Sequence, residues 1–264
     1  IFGYDIACDY YARATMQENI THQQAESVRC HHNKLTNCGD CRLNTLCLPI
    51  ALNATEIDQL DEIVKRGRPL AKGEHLFHQS EPFSAVYAVR SGSFKAYASS
   101  DDGTEQVTGF YLPGEIMGLD GISNLSHCSS AVALETSTVC EIPFSRLEEL
   151  SVKLPALQRR FFQMMGKEIA RDQQMFTLLG KNSAEERIAS LLLSISTRHH
   201  HRNLSASRFR LSMSRAEMGN YMGLTVETVS RVISRLQKQG VIKVDNREIE
   251  ILDMDALKVT ANAT

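Results

Sequence analysis

The chain has 264 residues, of which 42% are hydrophobic, and this length allows one large domain or two ordinary ones. Its net charge of −2 gives no overall sign of nucleic-acid binding, but the charge is uneven. Residues 181–264 hold 13 Lys and Arg against 9 Asp and Glu, a net of +4, and the remaining 16 basic and 22 acidic residues give −6. A basic C-terminal part beside an acidic N-terminal part is typical of a DNA-binding module attached to another domain.

The sequence shows no sign of export or membrane insertion. No apolar run approaches the ~20 residues that span a bilayer, and no charged segment followed by an apolar one opens the chain. We therefore expect a cytoplasmic protein with no membrane partner. Met16 is the first methionine, so we expect translation to start there and assign no role to residues 1–15.

The first half of the chain changes character near residue 50. Residues 16–50 are polar and lack periodicity before Leu43, so we expect a ligand to organise them. Residues 52–66 have apolar positions at helical spacing and predict a short amphipathic helix. Between residues 70 and 145, short β-prone runs are separated by glycine-rich turn signals, a pattern typical of a sandwich or barrel.

Helical periodicity begins at Phe144 and predicts a long helix from about Leu154 to Leu179. A capping box at residues 183–186 then starts another helix through Ile195. Residues 198–202 read RHHHR, and we interpret them as a solvated connection rather than a metal site, because adjacent histidines on a loop point in different directions.

Residues 212–252 carry the signals of a helix-turn-helix followed by a hairpin wing. A capping box opens a short helix over residues 214–222, and Gly223 is suited to the left-handed turn that ends it. Thr225 caps a second helix that runs to about Gln239 and stops at Gly240. Two helices joined by a tight glycine turn form the DNA-binding unit.

The second helix has an apolar face and a polar face. Residues near its N-terminal end on the polar face are placed to reach base edges. Arg can donate two hydrogen bonds to guanine and Glu can accept one from cytosine, so Arg231 and Glu227 are expected to read one G·C pair from both strands. Gln237 and Lys238 are expected to face phosphates. The predicted base-contacting set is Thr225, Val226, Glu227, Ser230 and Arg231.

Residues 219–231, GNYMGLTVETVSR, resemble the recognition motif of the CRP/FNR superfamily of bacterial transcription regulators. The order of elements also matches, over roughly residues 35–255. The resemblance implies an α+β fold with four parts: a cysteine-rich N-terminal segment (1–50), a β-roll of the cyclic-nucleotide-binding jelly-roll type (51–150), a dimerisation helix (151–181) and a winged helix-turn-helix domain (182–264).

Seven cysteines in a chain expected in the cytoplasm favour metal or redox chemistry over a disulfide framework, and the odd count agrees. Cys38, Cys41 and Cys47 are spaced so that three thiolates can close around one centre. A zinc ion or an iron–sulfur cluster needs four such ligands. Spacing alone leaves four candidates for the fourth: Cys8, Cys30, Cys128 and Cys140.

The cysteine pattern is similar to that of the FNR branch, named for fumarate and nitrate reduction, in which a distant Val-Cys-Glu-Ile-Pro follows three clustered cysteines. Residues 139–143 match that string. The resemblance implies that Cys38, Cys41, Cys47 and Cys140 bind one oxygen-labile [4Fe–4S] cluster per monomer. It also implies a regulator that activates anaerobic and represses aerobic respiration genes. Cys30 and Cys128 have no family role, and we expect each to be a small buried hydrophobe.

The superfamily also includes cyclic-nucleotide receptors, whose pocket carries a Gly-Glu pair and then an Arg-Ser pair that holds the phosphate. Here Gly118 is followed by Leu119-Asp120, and the later segment reads His127-Cys128-Ser129-Ser130. No arginine occurs between residues 90 and 146. An anionic phosphate would lack its bidentate partner, so we expect no cyclic nucleotide.

The long helix carries two series of residues seven apart, the a and d spacing of a two-stranded coiled coil. Only Asp172 is charged, so two copies would repel each other in a symmetric dimer. We expect an intact cluster to hold the N-terminal segment against this helix and favour the dimer; the alternative is that Asp172 turns aside to a neighbouring Arg. We call the six residues of these two series the seam: Phe162, Met165, Ile169, Asp172, Phe176 and Leu179.

A dimer would place two recognition helices in successive major grooves about 34 Å apart, so a palindromic site is expected. The resemblance implies half-sites of the TTGAT type. It also implies contact with RNA polymerase, for which the candidate surface is the turn of Asp101, Asp102, Gly103 and Thr104.

Two functions are alternatives to an oxygen-responsive regulator: an enzyme, and a regulator with a different effector. No P-loop, nucleophile elbow or HExxH motif supports an enzyme. A regulator that uses zinc, haem or nitric oxide as its effector on the same scaffold is the second alternative.

Overall fold

The computed structural model describes residues 37–181 and 183–262. The expectations for Cys8, Cys30 and the start at Met16 concern residues outside this part of the chain. Among the described residues, no helix is both long and apolar enough to cross a bilayer.

Two four-stranded antiparallel sheets form the β-roll, with strand orders β1-β8-β3-β6 and β2-β7-β4-β5. The predicted glycine turns separate the strands, and Gly73, Gly92, Gly103 and Gly114 all have positive φ, a conformation that glycine adopts without strain. The strands are β1 (Lys65–Arg66), β2 (His75–Phe77), β3 (Ala85–Ser91), β4 (Phe94–Ser99), β5 (Glu105–Tyr111), β6 (Ile116–Met117), β7 (Ser130–Ala133) and β8 (Thr138–Pro143).

A short 3-10 helix (Leu48–Ala51) and helix α1 (Ala54–Ile63) precede the roll. Helix α1 is shorter than the predicted helix over 52–66 at both ends. It begins after Asn53, whose side chain forms a capping box with Glu56. It ends early because the chain turns into strand β1, where Arg66 pairs with Cys140 of β8.

Two helices follow the roll, α2 (Phe144–Lys153) and α3 (Pro155–Lys181). The break at Leu154 follows from Pro155, which has no N–H to continue α2 but suits the first turn of a new helix. Leu157 and Phe161 on the inner face of α3 pack in the core formed with the roll, and this confirms the predicted long helix.

Helix α4 (Ala184–His200) extends well beyond the predicted end at Ile195. The interpretation of residues 198–202 as a solvated connection is therefore wrong. Arg198 lies in the last helical turn, and both Arg198 and Arg202 pair with Glu115 of the roll. Basic side chains at a helix C-terminus also complement its dipole.

The C-terminal part is a winged helix-turn-helix built of β9 (Arg208–Arg210), α5 (Arg215–Met222), α6 (Val226–Lys238), β10 (Ile242–Asp245), β11 (Glu248–Ile251) and α7 (Met254–Thr260). The predicted helix bounds and wing hairpin are confirmed. Gly223 has φ 63° and ψ 39°, the left-handed turn expected between the helices. Strand β9 and helix α7 were not predicted; β9 adds a third strand beside β11.

Helix α5 docks on strand β5 of the roll. The Asn220 side chain accepts a hydrogen bond from the Val107 N–H at 2.5 Å and donates one to the Glu105 carbonyl at 2.8 Å. Lys95 forms an ion pair with Glu217 at 3.0 Å. Because Val107 also lies in the apolar core of the DNA-binding domain, the two domains share a packed interface.

Candidate metal centre and nucleic-acid interface

The four cysteines Cys38, Cys41, Cys47 and Cys140 line one small cavity of about 40 Å³. Three come from the loop before the 3-10 helix and the fourth from strand β8. Apolar side chains complete the lining, among them Leu43, Leu48, Leu60, Val64 and Ile142. Within the described residues, no three Cys, His, Asp or Glu side chains converge closely enough to hold a single metal ion. The thiols surround the cavity rather than meet at one point.

The loop that carries three of the cysteines is held by local and distant contacts. Its own turns include the Cys47 N–H donating to the Leu43 carbonyl at 2.9 Å. The Cys38 N–H donates to the Asp61 carboxylate of α1 at 2.7 Å, and Arg66 forms an ion pair with the same carboxylate. The Arg66 guanidinium also reaches the Cys38 Sγ at 3.5 Å. Helix α1 and strand β1 therefore position Cys38.

Burial raises the pKa of the thiols at this cavity. It raises the pKa of Cys47 to about 12, with the nearby Cys140 adding to the rise. Burial also raises the pKa of Cys38 and of Cys140. Since metals bind the thiolate, a metal centre here must release protons as it binds, and its charge would stabilise the anions.

Arg160 of α3 links the cysteine loop to the long helix. Its side chain is buried and donates to the Leu46 carbonyl at 2.5 Å and to the Cys47 carbonyl at 3.2 Å. These two carbonyls lie just before and at a cysteine of the cavity. Arg160 was not predicted from the sequence; its signal is a charged residue at an inward position between Leu157 and Phe161.

Cys128 is exposed and lies away from the cavity, so its expected role as a buried hydrophobe is wrong. It stands in a turn held by Asp120, whose carboxylate accepts from the Cys128 N–H and the Ser129 N–H, both at 2.9 Å. The Ser129 hydroxyl adds a third donor at 2.8 Å. Residues 127–130 stand where cyclic-nucleotide receptors have the Arg-Ser pair that binds phosphate. In this chain, the Asp120 carboxylate accepts the hydrogen bonds that this segment donates.

Four of the six seam residues of α3 are exposed in the single chain, and Met165 and Leu179 are partly buried. Phe162, Ile169 and Phe176 are 57%, 58% and 82% exposed, which is unusual for large apolar side chains at regular spacing. Asp172 is exposed among them, with no hydrogen bond or ion pair to any described residue. Its neighbour Arg171 pairs with Glu168 and Glu115 instead, so the alternative of a turned-aside Asp172 is not observed.

Helix α6 presents its polar face to solvent. Glu227 and Arg231 are exposed, whereas Val229, Val232, Ile233 and Leu236 are buried as expected. Thr225 caps the helix through the Thr228 N–H, and the Thr228 hydroxyl accepts from the Arg231 guanidinium at 3.1 Å. Ser230 accepts from Arg215 of α5 at 3.2 Å. The predicted base-contacting residues thus share one accessible surface.

The turn of residues 101–104 connects β4 to β5 and is exposed throughout. Its shape is set by Gly103, with φ 81°, and by the Thr104 N–H donating to the Asp102 carboxylate at 2.9 Å.

Comparison with known proteins agrees with this architecture. Residues 67–153 match the cyclic nucleotide-binding domain family and residues 186–260 match the Crp-like helix-turn-helix domain family. The transcriptional activator protein Anr of Pseudomonas protegens is 54% identical over 229 residues, which cover 87% of this chain and 94% of Anr. The fumarate and nitrate reduction regulatory protein of Yersinia pestis is 47% identical over 84% of this chain and 88% of its own length.

The chain belongs to the FNR branch of the CRP/FNR superfamily. A solved structure of FixK2 from Bradyrhizobium japonicum matches with a TM-score of 0.69 and 31% identity, over 75% of this chain and 97% of that chain. Anr is named a transcriptional activator, and the FNR-type chain described here is a transcription regulator with a Crp-like helix-turn-helix domain.

Proposed function

We propose that this FNR-type protein is an oxygen-responsive transcription regulator whose DNA binding depends on a [4Fe–4S] cluster held by Cys38, Cys41, Cys47 and Cys140. The observation that carries the proposal is the placement of these four cysteines around one cavity with a mostly apolar lining. Thiolates are the ligands of such clusters, and an apolar shell limits solvent access. When bound, the cluster would supply a centre that oxygen degrades.

The chain's own residues give this centre a route to the DNA-binding state. Arg160 donates hydrogen bonds to the carbonyls of Leu46 and Cys47, and these bonds connect the cysteine loop to the helix that carries the seam. With the loop in place, we propose that two seams pair into a homodimer in the cytoplasm. Without it, the helix loses a support and the two Asp172 carboxylates repel each other.

The dimer would bind double-stranded DNA at palindromic TTGAT-type sites, one half-site per α6 helix. Arg231 and Glu227 would read a G·C pair in each half-site. The exposed turn of residues 101–104 would contact RNA polymerase at activated promoters, and binding over a promoter would repress others. The carboxylate of Asp120 on the Cys128 and Ser129 N–H groups supports our proposal that no cyclic nucleotide controls the protein.

The test is purification of the full chain under nitrogen. We expect brown protein with iron and sulfide each near four per monomer, which bleaches in air and then loses affinity for a TTGAT palindrome. Cys140→Ser should abolish the colour, and Cys128→Ser is the matched control that should keep it. Colourless protein with one zinc ion per chain, or a haem spectrum, would favour the regulator with a different effector.

A further inference from the structure

One turn of the roll contacts three other parts of the protein at once. This turn, residues 112–115, connects β5 to β6 and contains Leu112, Pro113, Gly114 and Glu115. On one side it contacts the cysteine loop, and on the other it contacts helices α3 and α4. None of these contacts was predicted from the sequence.

On the cysteine side, Leu46 packs directly on Gly114. A Cβ built on Gly114 would lie 3.0 Å from the Leu46 Cβ, and the glycine has φ 90°, so no other residue fits here without strain. Leu46 precedes Cys47, and its carbonyl accepts from Arg160. A displacement of the loop at Cys47 therefore acts on the 112–115 turn directly.

On the other side, the Glu115 carboxylate binds the DNA-binding domain. It accepts from Arg198 at 2.9 and 2.5 Å and from Arg202 at 2.7 Å. Arg202 also donates to the Pro113 carbonyl at 2.7 Å. Arg171 of α3 stands 3.8 Å from the same carboxylate. Glu115 thus offsets the charges of Arg198 and Arg202 in a largely enclosed site, while Arg171 is paired mainly with Glu168. Neutralising Glu115 would leave the Arg198 and Arg202 guanidinium groups facing each other.

We infer that the 112–115 turn couples the cysteine loop to the DNA-binding domain within a single protomer, with Glu115 as the positioning residue. The inference rests on the proposed function, because the cluster is what would hold the loop. It differs from control through the seam, since every contact in this route lies within one chain. Cluster loss would then loosen the end of α4 even in a monomer.

The test compares iron-loaded and iron-stripped protein in a variant that cannot dimerise. Ile169→Asp combined with Phe176→Asp places charges at two exposed seam positions, and sedimentation should show a monomer with or without the cluster. Hydrogen–deuterium exchange of the backbone amides of residues 197–204 is then measured on iron-loaded protein and after anaerobic chelation. We expect stripping to speed exchange in this segment about tenfold.

Variants in the same seam-broken background identify the route. Glu115→Gln should give fast exchange over residues 197–204 in both the iron-loaded and the stripped protein, so the two no longer differ. Glu115→Asp, which keeps the carboxylate, should still show part of the difference between them. Leu46→Ala should keep the iron but also erase the difference. Glu135→Gln is the matched control: Glu135 also bridges the roll to the DNA-binding domain, through Ser93 and Ser212, but lies outside this route, so the difference should persist.

Two results would overturn the inference while leaving the proposed function intact. One is iron-loaded monomer whose exchange over residues 197–204 does not change on stripping. The other is a difference that survives both Glu115→Gln and Leu46→Ala. Protein that contains no iron would overturn the proposed function and this inference with it.

Discussion

Replacement of Asp172 by Ala should produce a dimer that survives cluster loss. In a symmetric seam, two carboxylates about 7 Å apart in an effective dielectric near 20 repel by roughly 2 kcal/mol. That energy corresponds to about a thirtyfold change in the dimer dissociation constant. The apolar neighbours Ile169 and Phe176 are more than half exposed in the single chain and gain burial on pairing, so removal of the repulsion leaves a net attraction.

The pKa of Asp172 gives the same prediction a second test. Partial desolvation and the neighbouring Glu168 carboxylate already raise this pKa in the single chain, and a second Asp172 would raise it further. A carboxyl with a higher pKa in the dimer binds protons on association. Dimerisation should therefore strengthen as pH falls through the titration range of this group and weaken above it.

Sedimentation equilibrium of air-exposed protein measures both effects. Asp172→Ala should be dimeric at concentrations where the parent is monomeric, and its association should lose most of the pH dependence. Gln173→Ala, at the next exposed position off the seam, is the control and should behave as the parent. A monomeric, cluster-free Asp172→Ala protein would refute the argument.

Three other changes test separate parts of the molecule. Arg231→Ala should weaken binding to the cognate half-site by about 1–3 kcal/mol in fluorescence anisotropy and relax the preference at one G·C pair; Lys238→Ala should instead weaken all sequences alike and lower the salt slope by about one. Arg160→Gln should cost about 1.5–3 kcal/mol for each charge-assisted hydrogen bond lost and shorten iron retention during gel filtration, whereas the exposed Arg159→Gln should do neither. Burial opposes ionisation of Glu115, but three arginines, of which Arg198 has the largest effect, hold its pKa at about 2. The ionised Glu115 should therefore contribute its full share of the unfolding free energy at neutral pH, and this share should decrease as pH drops from about 4.5 towards 2. In urea titrations, the unfolding free energies of the parent and of Glu115→Gln should converge over that interval, and a difference that stays constant would contradict this account.

The helix-turn-helix could be predicted closely because its signals are local. The capping box of Ser214 and Glu217, the left-handed Gly223 and the Thr225 cap each act within a few residues, and the structure places the helix ends where they indicate. The fourth cysteine was a different case. Spacing left Cys140 one candidate among four, and only the family resemblance selected it, because β8 pairs with distant strands that local patterns do not specify.

The contacts that join domains could not be predicted from the sequence. Arg198 and Arg202 looked like solvated loop residues because their partner, Glu115, lies far away in the chain. Arg160 was missed for the same reason, since its acceptors are backbone carbonyls and no residue type marks them. Charge networks of this kind depend on tertiary packing, which sequence periodicity does not report.

In the proposed dimer, the docking of α5 on β5 would fix the distance between the two recognition helices. Asn220 of α5 is hydrogen-bonded to the roll backbone through both its side-chain oxygen and its side-chain nitrogen. The recognition helix α6 follows α5 after the short Gly223 turn, so it has little freedom to move relative to the roll. One extra base pair between half-sites displaces the second by about 3.4 Å along the axis and rotates it by roughly 35°. A reader on a loose tether would tolerate such an insertion. The proposed dimer should reject it, so we expect the half-site spacing of its promoters to be as invariant as their half-site sequence.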